Sequence, residues 1–133
     1  MSKAKPDTSK PLGISQGAVV QMLGWDEDCD AALRDAVVAA CGSAVVPEDY
    51  DDVVDNVLLW WREDDGDLID GLLDAITMLA DDGSVWLLTP KPGRDGHVES
   101  EDIAESAPTA GLRITANISA GSDWQGTRFL PRS

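Results

Sequence analysis

The sequence predicts a single α/β domain in three layers: a mostly parallel sheet, helices on both of its faces, and an antiparallel hairpin at the C-terminal end. Three observations carry this. Short apolar runs bounded by glycine or proline alternate with amphipathic stretches of helical period, the order expected of strand–helix–strand units joined by right-handed crossovers. The run Val57-Leu58-Leu59-Trp60-Trp61 is too continuously apolar for a strand with one wet face, so it belongs in the middle of a covered sheet. Two alternating segments close the chain around Gly121 to Trp124, the pattern of a hairpin. A chain of 133 residues, 43% of them hydrophobic, suits one core, and neither an internal repeat nor a second apolar block divides it.

The elements follow in order. Residues 1–12, MSKAKPDTSKPL, are polar and lysine-bearing and predict a flexible tail, with the domain spanning 13–133. Ala18 to Leu23 is a short apolar run between Gly17 and Gly24 and reads as a buried strand. From Asp28 a helix follows: Cys29, Leu33, Val37 and Cys41 recur every four residues, acids crowd its N-terminal end, and Gly42 stops it. A second strand is expected over Ser43 to Val46, stopped by Pro47, and the central third over Val53 to Trp61. Asp67 caps a helix whose Leu68, Ile69, Leu72, Leu73, Ile76 and Leu79 make one stripe, with Gly83 as its expected end. Ser84 to Thr89 is a fourth strand, broken by Pro90. A third helix, Ser100 to Ala110, should turn Ile103, Ala104 and Ala107 inward with Ser100 as its cap. The hairpin strands are Leu112 to Ser119 and Gly126 to Pro131.

Charge excludes whole classes of partner. Twenty-five acids against ten bases give −15 and a pI near 4.1, which opposes nonspecific nucleic-acid binding and attachment to anionic membranes, both of which depend on Lys and Arg. The acidity is regional. Between Asp26 and Asp82 lie 18 acids and 2 bases, so that stretch carries −16 and the remainder +1. Such a surface serves solubility or docks a basic partner. No apolar run approaches the roughly 18 residues that span a bilayer, and the N-terminus lacks the apolar core of a signal peptide, so a cytoplasmic protein is expected.

Candidate chemistry is sparse. Asp26, Asp28 and Asp30 begin like a calcium loop, but Ala31 replaces the glycine at the sixth position and Val37 the glutamate at the twelfth, so helix capping is the better reading. One histidine and two distant cysteines offer no metal-ligand spacing. Cys29 and Cys41, roughly 18 Å apart along one helix, read as core thiols. Ser84, Thr89 and Ser100 lack a nucleophile elbow, and no catalytic residue is assigned. The loop Lys91 to His97, with Lys91, Arg94 and His97, lies beyond the carboxyl end of a strand, where open α/β sheets bind ligands; an exposed surface loop is the plainer alternative. Of five tryptophans, Trp60, Trp61 and Trp86 are expected in the core, the first two on opposite faces, while Trp25 and Trp124 fall on turns and are candidates for exposure. Arg128 is read as an ion pair with an acid such as Asp123, or as an anion contact.

The succession Asp55-Asn56-Val57-Leu58-Leu59-Trp60, an amphipathic helix, and Gly83-Ser84-Val85-Trp86-Leu87-Leu88-Thr89-Pro90 resembles the later half of class I, S-adenosylmethionine-dependent methyltransferases. The turn after the first strand departs from them. Leu23-Gly24-Trp25-Asp26-Glu27-Asp28 sets an indole and three carboxylates where a glycine-rich turn would admit a cofactor or phosphate. Glu48 and Asp49 fall where an acidic ribose ligand would stand, in a stretch so rich in acids that position alone says little. Leu12-Gly13-Ile14 with Gly17, the Trp86 strand running into Pro90-Lys91, and Trp124-Gln125-Gly126-Thr127-Arg128-Phe129 resemble a bacterial, actinobacterial-type family of small degenerate Rossmann-like proteins of unknown function. That resemblance implies a fold and no established activity.

The expectation is therefore a non-catalytic cytoplasmic binding or regulatory protein that needs no cofactor, meeting a basic protein partner through its acidic region. The alternative is a small-molecule-binding protein or atypical methyltransferase using the carboxyl edge of the sheet near Trp25, Arg62 and the Lys91 to His97 loop. A third reading is an acidic decoy resembling nucleic acid. Candidate contacts are Trp25, Arg62, Lys91, Arg94, His97, Trp124 and Arg128.

Overall fold

In a computed structural model, the structure describes residue 14 and residues 16–120 and 123–131. The expected tail at 1–12, Gly13, and the Gly121 and Ser122 part of the hairpin turn lie outside the described residues. The elements run β1 (Val20–Leu23), α1 (Ala31–Cys41), β2 (Val54–Trp60), a 3-10 turn (Glu63–Asp65), α2 (Leu68–Ala75), β3 (Leu79–Pro90), α3 (Ser100–Thr109), β4 (Leu112–Ser119) and β5 (Trp124–Pro131). One five-stranded sheet has the order β1-β2-β3-β5-β4, with the first three strands parallel and β5 and β4 added antiparallel. The α/β class, the parallel core and the terminal hairpin are as the sequence predicts.

Strand alternation sorts the core into two layers. Val57, Leu59, Val85, Leu87 and Phe129 meet α2 and α3 through Leu68, Leu72, Ile103 and Ala107. Leu58, Trp60, Trp86, Leu88 and Trp124 meet α1 through Val37 and Cys41, with Cys29 and Ile14 beside them. Trp60 and Trp61 accordingly serve opposite faces. Both cysteines are buried and unpaired, as core thiols should be. Helix α1 begins later than its periodicity suggests. Asp30 is its cap, accepting from Leu33 N at 3.0 Å, and Gly42, at φ 84°, ends it. Cys29 thus precedes the helix while still packing beneath it.

Four boundaries differ from expectation. Residues 43–46 do not form a strand: Val46 alone bridges Gln21, donating to the Val20 carbonyl and accepting from Met22 N, and the chain turns after Pro47. Helix α2 stops at Ala75, and Leu79, expected on its stripe, opens β3 opposite Val54. Gly83 lies inside that strand rather than ending the helix, where a Cβ would sit 2.5 Å from the Asp55 carbonyl oxygen. Ala104 of α3 is exposed; its neighbour Ser106 is buried instead, donating to the Asp102 carbonyl at 2.8 Å, and Glu99 rather than Ser100 occupies the cap position. Strand β5 starts at Trp124, two residues early, which buries that indole.

Among the described residues, no helix is long and apolar enough to cross a membrane.

Candidate functional site

After β1 the chain passes through α1 to the Val46 bridge on one side of that strand, then returns to place β2 on its other side. The direction of winding reverses between β1 and β2, and their carboxyl ends frame a crevice, the place where open α/β sheets take ligands. A cavity of about 690 Å³ opens there. Leu23, Gly24 and Trp25 bound it from β1; Trp60, Trp61 and Arg62 from β2; Glu48 and Tyr50 from the loop after the bridge; Gly71, Asp74 and Met78 from α2 and its end.

The β1 turn is closed by one acid and one base. Gly24 has φ 77°, and a Cβ there would collide with the Trp60 carbonyl oxygen, so only glycine fits. Its N–H donates to Glu48 Oε2 at 2.8 Å, and its carbonyl accepts from an Arg62 terminal nitrogen at 2.9 Å. Gln21 holds Glu48 in place: its side-chain amide, on a residue only 5% exposed, donates to the Pro47 carbonyl at 3.2 Å and the Glu48 carbonyl at 3.4 Å. The backbone N–H that a phosphate-binding turn would offer to a ligand is thus already used.

Arg62 is the hub on the other side. Its guanidinium grips Asp28 through two nitrogens, at 2.5 and 3.2 Å, and meets Asp65 at 3.5 Å and Cys29 Sγ at 3.1 Å. The Arg62 side chain is 13% exposed and Asp28's 57%. The hydrogen bond from Arg62 holds the Asp28 carboxyl below its ordinary range, while burial pushes the Cys29 thiol up. Burial opposes the charge on Arg62, but the hydrogen bonds and charges of Asp28 and Cys29 together outweigh it and push the guanidinium pKa up.

Trp25, Trp60 and Trp124 form an edge-to-face series with ring centroids 5.5 and 4.8 Å apart. Arg34 lies 4.4 Å over Trp25 and Arg62 5.3 Å from Trp124. Trp124 Nε1 donates to the Asp28 carbonyl at 3.1 Å, whereas Trp60 Nε1 is buried with no acceptor among the described residues.

The structure therefore brings Trp25, Arg62 and Trp124 together, with only the first two at the crevice wall. Trp124 is 3% exposed, not the partly exposed turn residue that was expected. Trp61, expected in the core, is instead half-buried and lines the cavity. Lys91, Arg94 and His97 stand apart from it. Their loop is pinned: His97 Nδ1 lies 2.8 Å from the Pro90 carbonyl, Lys91 N donates to the Asp123 carbonyl, and the Gly96 carbonyl accepts from Glu63 N. Asp123 pairs with Arg94 at 3.2 Å rather than with Arg128. Arg128 lies at the opposite, amino edge, in a cleft with Asp55 and Asp82. Tyr50, Trp61 and Asp74 were not among the candidates, and Glu48 was singled out only as standing where an acidic ribose ligand would fall. The one local signal was Gly71, a helix-interior glycine whose place is explained by the Trp61 ring lying against it.

No group of three or more His, Cys, Asp or Glu side chains among the described residues is placed to hold a metal. The fold is a Rossmann-like α/β domain with a crevice at the carboxyl ends of β1 and β2. It is similar to the CcbJ methyltransferase from Streptomyces caelestis (TM-score 0.64, 11% identity, 92% of this chain and 86% of that one). It is also similar to the ribosomal protein L11 methylase from Lactobacillus delbrueckii subsp. bulgaricus (TM-score 0.63, 15% identity, 94% and 75%). At such identities the likeness is one of fold. The chain belongs to the family described as protein of unknown function DUF3052, whose model matches residues 9–133. It is 49% identical over 126 residues to the uncharacterized protein Rv2239c of Mycobacterium tuberculosis, covering 94% of this chain and 79% of that protein. An uncharacterized protein of Mycobacterium bovis, Mb2263c, matches to the same extent.

Proposed function

We propose that the protein is a binding or regulatory module that takes a small, phosphate-free molecule in the crevice between the carboxyl ends of β1 and β2. The observation that carries this is the pairing of an open cavity of about 690 Å³ with a β1 turn whose N–H and carbonyl are both occupied by side chains. The volume suits a metabolite of nucleoside size. The carboxylates of Asp26, Glu48, Asp65 and Asp74 on its wall oppose a phosphate, and Arg62, which could attract one, is held by Asp28. Among the described residues no His, Cys, Lys or Ser lines the wall, which supports binding over thiol-, serine-, Schiff-base- or histidine-dependent chemistry.

The test is thermal unfolding with S-adenosylmethionine, adenosine, ATP and NAD at millimolar concentration, since a ligand selective for the native state raises the midpoint. S-adenosylmethionine or adenosine should raise it in the native protein and not in Trp61→Ala, with ATP and NAD inert. Equal stabilisation by ATP, or no shift with any of them, would overturn the reading.

A second reading is favoured by the groove between α2 and α3, lined by Glu63, Asp67, Asp102 and Glu105 beside the same Trp61. There the acidic region would dock a basic protein partner, with an association that weakens as salt rises. Capture of a partner that is indifferent to ionic strength would count against it.

A further inference from the structure

We infer that the crevice selects an organic cation, such as an alkylated ammonium or sulfonium group, over a neutral ligand of the same shape. This rests on the crevice being the binding site and adds the sign of charge it recognises.

Four aromatic residues, Trp25, Tyr50, Trp60 and Trp61, and four acids, Asp26, Glu48, Asp65 and Asp74, line one cavity. Its one cation among the described residues is Arg62, and that charge is met by Asp28 and by Asp65. Charges of one sign in a low-dielectric cleft focus the field inside it, raising the local concentration of counter-ions. Indole and phenol faces add attraction for a cation whose hydration shell is weak, as in alkylated ammonium groups.

Two details make the aromatic wall more than surplus core. Gly71 is in the middle of α2, where glycine weakens a helix, and a Cβ there would lie 2.6 Å from the Trp61 ring. The missing side chain lets that indole lie on the helix and face the cavity instead of being expelled. Asp74, one turn further along α2, is exposed, and its carboxylate takes no hydrogen bond or ion pair among the described residues. It is available to a ligand, unlike Glu48 and Asp65, which also hold Gly24 and Arg62. Carboxylates around aromatic faces suit a positive centre bearing apolar groups. A bare metal ion would need converging oxygen ligands, which the described residues do not supply.

The test compares choline with its neutral carbon isostere, 3,3-dimethylbutan-1-ol, by titration of the isotope-labelled native protein under NMR at constant ionic strength. Choline should shift the Trp61 indole and Gly71 signals saturably and bind at least tenfold tighter than the alcohol. Asp74→Asn, an exposed change that leaves the core intact, should weaken choline several-fold without altering the alcohol. Equal affinities, or choline binding unaffected by Asp74→Asn, would overturn the charge selection while leaving the crevice as a binding site. If neither compound perturbs Trp61, this inference fails, and the thermal shifts with S-adenosylmethionine and adenosine decide separately whether the crevice binds a ligand.

Discussion

Arg62 and Asp28 are 34 residues apart in sequence, yet their contact ties the end of β2 to the turn before α1. Arg62 was legible as a candidate because it stands at the carboxyl edge of the sheet, just after the central strand; its partner was not, since 18 acids offered themselves equally. The pairing makes a prediction. Asp28→Asn leaves a mostly buried guanidinium with weaker neighbours, and because the carboxylate itself is more than half exposed the cost should be about 1–2 kcal/mol in urea unfolding at pH 7. The folded-state pKa of Asp28 lies below the ordinary 3.8, so the carboxylate's contribution is present at neutral pH and fades as the pH falls below about 4. The stability gap between the native protein and Asp28→Asn should therefore narrow as the pH falls below about 4. A gap that stays constant across that range would show that the ion pair is not its source.

At the scale of elements, periodicity located every helix and all five strands, but it placed their ends poorly where two conformations bury the same side chain. Leu79 continues the α2 stripe in sequence, yet it is equally well covered as the first residue of β3, paired with Val54. Residues 43–46 fail for the opposite reason: the local pattern suits a strand, but one bridge followed by Pro47 is all the ladder that forms. Helix α2 carries the clearest conflict between local and tertiary preference. Gly71→Ala should gain about 1 kcal/mol in helix propensity and lose a similar amount by pushing the half-buried Trp61 ring aside, leaving unfolding stability within about 1 kcal/mol of native. Its visible effect should be a displaced Trp61 indole resonance and loss of binding in the crevice. Unchanged ligand affinity would show that the indole is not part of the wall.

For the molecule as a whole, charge and crevice are parts of one arrangement. The stretch from Asp26 to Asp82 contains the acidic end of the β1 turn, the loop bearing Glu48, the Arg62 turn and α2, so the −16 segment supplies most of the crevice wall. Like charges at this density repel one another in the folded state. Raising NaCl from about 0.02 to 0.3 M, which shortens the Debye length from roughly 20 to 6 Å, should raise the thermal midpoint of the native protein. A midpoint that falls would mean that ion pairs such as Arg62 with Asp28 outweigh the repulsion.

The sequence by itself determined the α/β class, the parallel core with its terminal hairpin, and the single glycine and the acids of the β1 turn. Each of these is written in nearest-neighbour terms: apolar period, caps, and the identity of residues in one short turn. The tertiary structure alone decided that Trp124 is buried and Trp61 is open to the crevice, that Glu48 and Arg62 meet on the two sides of Gly24, and that His97 lies away from them. Those outcomes depend on which strand ends lie side by side once the sheet is wound, and contacts between residues 24 to 38 positions apart leave no periodic trace in the chain.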